Sequence, residues 1–211
     1  MKTTIRQAIQ TILSRLNFKV YPTTFLNIVA FIAIVPCVIW LPAKYAWENS
    51  FFENLQIFIC LATVIIALLN KRDRALFNWF AMLAFILFLR EINCGRIFFP
   101  HEGRINSFMS WQEILPSFDY VPNLLYSFFM IFTLIYFFYK KLYLRLIDYV
   151  KYANFPAIDI SLFMLGIICG TLGETFFPNE MFEETSETMF YLSFMSIVFL
   201  YTFNPKFELK K

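Results

Sequence analysis

Residues 75–89, ALFNWFAMLAFILFL, run for fifteen positions with a single polar side chain, Asn78, and are followed at once by Arg90 and Glu91. A run this apolar reads as a membrane helix. At about 1.5 Å per residue it rises roughly 22 Å before the first charge, short of a hydrocarbon core about 30 Å thick. Arg90 and Glu91 are therefore expected inside the bilayer. Ionised groups there cost on the order of 2.5–3.5 kcal/mol each on insertion scales, so they persist only when paired, hydrated or used.

The rest of the chain repeats this pattern. It has 211 residues, 59% of them hydrophobic and only 16% charged, with 29 Phe and 5 Gly. Such a composition lies outside the range of soluble domains. Apolar runs are found at Thr24 to Ala43, Phe51 to Leu69, Ala75 to Phe99, Val121 to Tyr139, Ile158 to Phe177 and Thr188 to Phe203. The expected fold is an all-α integral membrane protein, a six-helix transmembrane bundle over residues 23–204, with a basic tail at 205–211. Of the 18 Lys and Arg residues, 14 lie in the N-terminal segment, the second and fourth loops and the C-terminal tail. The positive-inside rule makes that side cytoplasmic and puts both termini there. The opposite side takes 11 of the 15 acids, so the net charge of +3 conceals two faces of opposite sign.

Residues 1–22 have Lys and Arg scattered among Ile5, Ile9, Ile12, Leu13 and Leu16 at helical spacing, with Thr4 and Gln7 placed as a capping box. This predicts an amphipathic helix on the inner leaflet rather than a cleavable signal, which needs an uninterrupted apolar core. Leu142 to Asn154 reads the same way. A compact chain with no N-x-S/T sequon points to a bacterial inner (plasma) membrane.

Depth counting collects the intramembrane polar groups into one layer. Glu174 follows Asp159 by a rise of roughly 21 Å, close to the depth of Arg90. In the second run Glu53, Gln56 and Cys60 recur at spacings of three and four and share a face. Glu180, Glu184 and Glu187 form a similar ladder, if helical, one turn before Tyr191. One arginine cannot neutralise three carboxylates at one depth, so the surplus is expected to hold a proton, bind a cation or face a hydrated cavity. The expected site comprises Glu53, Glu91 and Glu174 as acid and base, with Gln56, Arg90, Arg96, Glu187 and Tyr191 contacting substrate. The same three carboxylates are the candidate ligands for a divalent cation. Glu102, Glu113, Glu183 and Glu184 read as solvated surface. The segment Pro100 to Pro116, with Phe108, Trp111, Ile114 and Leu115, reads as an interfacial roof over the layer.

Other chemistries lack their residues. His101 is the one histidine, which excludes histidine-based metal sites and bis-histidine haem. Cys37, Cys60, Cys94 and Cys169 sit singly in different runs and read as small buried hydrophobes, although Cys94, between Arg90 and Arg96, has cations that could lower a thiol pKa. No nucleotide fingerprint or GxSxG motif occurs, and neither a nucleotide nor a nucleic-acid partner is expected. Gly166, Gly170 and Gly173 form a small-residue stripe suited to close helix packing. Three function classes fit this pattern: an enzyme acting on a membrane lipid or lipid-linked substrate, a cation or proton binding or transport protein, and an accessory subunit docking another membrane protein.

Overall fold

The structure is a computed structural model that describes residues 10, 13–47, 50–99, 109–114, 116–117, 120–176 and 179–209, with the side chains of Arg96, Ile97 and Glu174 left aside. The amphipathic helix expected over residues 1–22 falls largely outside the described residues. So do His101, Glu102, Phe108, Leu115 and most of the expected roof.

Eight α-helices are described: α1 Pro22–Trp40, α2 Phe51–Leu68, α3 Arg74–Glu91, α4 Trp111–Ile114, α5 Val121–Tyr139, α6 Leu142–Tyr152, α7 Ala157–Thr175 and α8 Glu180–Phe203. One two-residue parallel pairing, Leu16–Asn17 with Phe155–Pro156, ties the N-terminal segment to the start of α7. Three helices, α1, α2 and α5, are long and apolar enough to cross a membrane, which fits an integral membrane protein. Along α5, Leu124, Phe128, Ile131, Leu134, Ile135 and Phe138 are all more than half exposed. A contiguous apolar face of this kind suits lipid rather than water.

The helix ends have local causes. Asp73 caps α3 by accepting from the Leu76 amide, and Asn179 caps α8 by accepting from the Phe182 amide. The run expected to continue to Phe99 leaves the α-helix at Glu91, because Asn93, Cys94 and Gly95 take φ of 46°, 53° and 98°. Asn and Gly accept this left-handed region readily, whereas Cys94 does so at a cost on the order of 1–2 kcal/mol. The turn is held by the Trp111 indole donating to the Asn93 carbonyl at 3.3 Å, and by the Cys94 thiol donating to the Pro122 carbonyl at 3.7 Å. Conversely, α8 begins eight residues before the apolar run does, capped by Asn179 with Glu180 and Glu183 in the first turn where the helix dipole favours acids.

Helix α8 is central, packing against α1, α2 and α7, while α3 packs on α2 and α5 on α3. Gly166 allows the closest approach: a Cβ there would lie 2.8 Å from the Phe190 Cα. A Cβ at Gly170 would meet only the Glu187 Cγ, at 3.6 Å. The small-residue stripe is thus the seam between α7 and α8.

At one end of the bundle the basic segments converge. The Phe155 amide donates to the Arg15 carbonyl, Asn154 Nδ2 donates to the Lys206 carbonyl at 2.7 Å, and Arg72 pairs with Glu208. Helix α6 lies over this end, where burial and the Asp73 carboxylate push the Tyr149 phenol up to about 12. Replacing Gly166 with Ala is expected to cost roughly 1–3 kcal/mol through overpacking, whereas Gly170→Ala is tolerated. Thermal unfolding in detergent checks the contrast, and equal melting temperatures for the two variants would show that the seam is looser than described.

Candidate functional site

The site forms where the C-terminal end of α3 meets the first half of α8. Arg90 and Glu91 occupy the last turn of α3, and Glu184, Glu187, Thr188 and Tyr191 follow one another along α8 at spacings of three, one and three. Arg90 pairs with Glu187 through its guanidinium and lies 3.9 Å from the Glu91 carboxylate. The Tyr191 hydroxyl donates to Glu91 Oε1 at 2.5 Å, in the range of a charge-assisted bond. Tyr191 is 1% exposed and Glu91 6%, so this pair is sealed in the bundle. The Arg90 side chain is half exposed.

On the other flank Gln56 is fully buried against α8. Its Nε2 is 2.9 Å from the Glu184 carboxylate, 3.0 Å from the Glu184 carbonyl and 3.1 Å from Thr188 Oγ1, so two hydrogens serve three acceptors. Its Oε1 is buried without a partner among the described residues. Glu53, one turn earlier, is in electrostatic range of both Glu91 and Glu184. Among the described residues, no three His, Cys, Asp or Glu side chains are arranged to hold a metal ion.

Gln56, Arg90, Glu91, Glu187 and Tyr191 are therefore brought together, with Glu53 at the edge. Glu174 sits in the last turn of α7 and Arg96 in the turn after α3, but their side chains lie outside the described residues. Glu184, read from the sequence as solvated surface, belongs to the cluster instead. Its signal was the spacing Glu184, Thr188, Tyr191, which becomes one helical face once α8 extends back to Glu180. Cys94 is turned away toward the Pro122 carbonyl.

A groove of about 510 Å³ runs beside the ion pair, with Leu87 and Arg90 of α3, Glu187 and Phe190 of α8, and Gly166, Ile167, Gly170 and Thr171 of α7 along it. Ile167 and Thr171 are exposed, so the groove opens sideways from the bundle. The glycines hollow its floor.

A second polar centre, not assembled by sequence reading, lies toward the other end. Asp159, in the first turn of α7, is 1% exposed and accepts from Thr24 Oγ1 at 2.7 Å, Asn27 Nδ2 at 2.7 Å and Ser196 Oγ at 2.6 Å. Three donors and the positive end of its own helix hold the carboxylate, with no cation paired to it among the described residues. Thr24 and Asn27 at i and i+3 were the available sequence signal, but nothing in the chain announced their partner 132 residues away.

No protein-family model matches this sequence, and no curated protein and no solved structure matches it. The geometry itself carries the functional reading. An Asp159→Asn substitution turns an NH2 group toward one of these donors and is expected to cost on the order of 1–3 kcal/mol. Thermal unfolding checks this, with Thr24→Val expected to fall by less because it removes one bond of three.

Proposed function

We propose that α1, α2, α3, α5, α7 and α8 are six membrane spans, with both termini, the interfacial N-terminal helix and the basic tail on the cytoplasmic side of a bacterial plasma membrane. On this reading the Arg90 layer faces outward in the outer third of the bilayer and takes a lipid or lipid-linked substrate. The observation that carries it is the half-exposed Arg90 guanidinium, paired with the largely buried Glu187 at the open groove, with Glu91 and Tyr191 sealed behind it. A guanidinium kept half open at membrane depth is costly unless it meets a polar ligand.

The roles follow from exposure. Arg90 offers a planar fork of donors to an anionic group. Glu187 is the carboxylate along the groove and can exchange a proton with a bound molecule. Glu91, held by Tyr191, fixes the charge behind Arg90, and Glu53 and Glu174 complete the acid and base set. Arg96 is the further cation at this end.

The test is to purify the protein with its native lipid and compare it with Glu187→Gln and Glu91→Gln. Both variants are expected to fold and to lose modification of the co-purifying lipid, Glu187→Gln by about a hundredfold if it serves as general acid or base. Unchanged lipid chemistry in both variants would overturn the enzyme reading. A second reading, proton transfer across the bundle, draws on the buried Asp159 centre and on Ser193, whose buried hydroxyl has no partner one turn before Ser196. Proton uptake by vesicles that vanishes in Glu91→Gln would favour it.

A further inference from the structure

The groove at Arg90 does not end there. A second hollow of about 280 Å³ shares Leu87 and Phe190 with it and is bounded by Tyr126, Met130 and Phe194. A third, of about 220 Å³, shares Leu83 and Met130 with the second and reaches Trp79 and Thr133. The three adjoin one another through these shared residues as a track along α3 from Arg90 to Trp79, eleven residues or about 16 Å of helix rise. This is close to half of a hydrocarbon core about 30 Å thick. Polar groups occur at its upper end, and the lower two hollows are almost wholly apolar, Tyr126 and Thr133 supplying the one hydroxyl in each.

We propose that this track seats one acyl chain of a phosphoethanolamine lipid, whose head replaces the Arg90–Glu187 pair: phosphate on Arg90 and ammonium on Glu187. This rests on reading the Arg90 layer as a lipid-facing site. Charge decides the head group. Arg90 meets the carboxylates of both Glu187 and Glu91, Glu184 is in electrostatic range of those two, and no other cation whose side chain is described lies with them. A purely anionic head would bring further negative charge against the Glu187 and Glu91 carboxylates, whereas a zwitterion exchanges one ion pair for two and leaves the net charge unchanged. A primary ammonium also donates hydrogen bonds to Glu187, which a trimethylammonium cannot do. Depth distinguishes this lipid from its neighbours in the bilayer, because its phosphate is drawn to the level of Arg90, below the outer boundary.

The test uses the full chain reconstituted in vesicles containing equal parts of palmitoyl-oleoyl phosphatidylethanolamine, phosphatidylglycerol and phosphatidylcholine, extracted in mild detergent and assayed for retained lipid by mass spectrometry. The ratio of retained phosphatidylethanolamine to either of the other lipids is expected to be about tenfold above its value in the bilayer. Leu83→Trp, which fills the track below the head, and Gly170→Val, which narrows its upper end while sparing the Gly166 crossing, are each expected to return the retained lipid to the bilayer ratio. Unaltered melting of either variant shows that the fold survives. Retained lipid that mirrors the bilayer in the wild-type protein, or enrichment of phosphatidylglycerol or phosphatidylcholine instead, overturns the proposal. Enrichment that persists in a folded Leu83→Trp or Gly170→Val variant overturns the track. Selective retention with no lipid chemistry lost in Glu187→Gln leaves the track standing and removes the enzyme reading. Lost chemistry with unselective retention does the reverse.

Discussion

The contact on which the arrangement rests is the crossing of α7 over α8 at Gly166, where a missing side chain lets one helix backbone lie against another. In a membrane there is no hydrophobic gain from bringing apolar helices together, so close van der Waals approach has to supply much of the association. Gly166 meets Phe190, and Glu187 lies one turn before it on the same helix. The crossing therefore sets where the Glu187 carboxylate emerges, how close it comes to Arg90, and how deep the adjoining groove can be. Packing and site are one feature seen from two sides.

Helix α8 also solves a solvation problem for its neighbours. One of its faces supplies Glu184, Thr188 and Tyr191, which hydrogen-bond the Gln56 amide nitrogen from α2 and Glu91 from α3. Another supplies Ser196, which joins Thr24 and Asn27 of α1 around Asp159 of α7. Buried polar groups of this kind stabilise only when their partners are in place, and removing one partner leaves a desolvated group with a cost of several kcal/mol. The two centres therefore specify which helices sit beside α8, in a bundle whose apolar surfaces could otherwise pack in several ways.

Much of the helix pattern could be read from sequence because apolar runs announce themselves one residue at a time. Residues 75–89 and Arg90–Glu91 needed only length and composition, and α1, α2 and α5 have the length and hydropathy of membrane helices. What escaped depended on tertiary context. The early start of α8 is invisible in hydropathy because Glu180 to Glu187 are polar. The left-handed turn at Asn93 and Cys94 has a glycine beside it but no other local mark. Glu184 looks like a surface acid until its partner on α2 is known. Asp159 looks like a first-turn carboxylate until two distant helices converge on it. Long-range hydrogen bonds leave no period in a single sequence.

The central place of α8 also bears on how the molecule is made. It follows every other long helix in the chain, so α1, α2, α3 and α7 emerge from the ribosome before it. Until α8 arrives, Gln56 lacks Glu184 and Thr188, Glu91 lacks the Tyr191 hydroxyl, and Asp159 lacks one of its three donors, Ser196. Such helices are held poorly by lipid alone. The two polar centres are therefore completed only by the last long helix to be made, so the identity of every neighbour of α8 is decided at the end of synthesis.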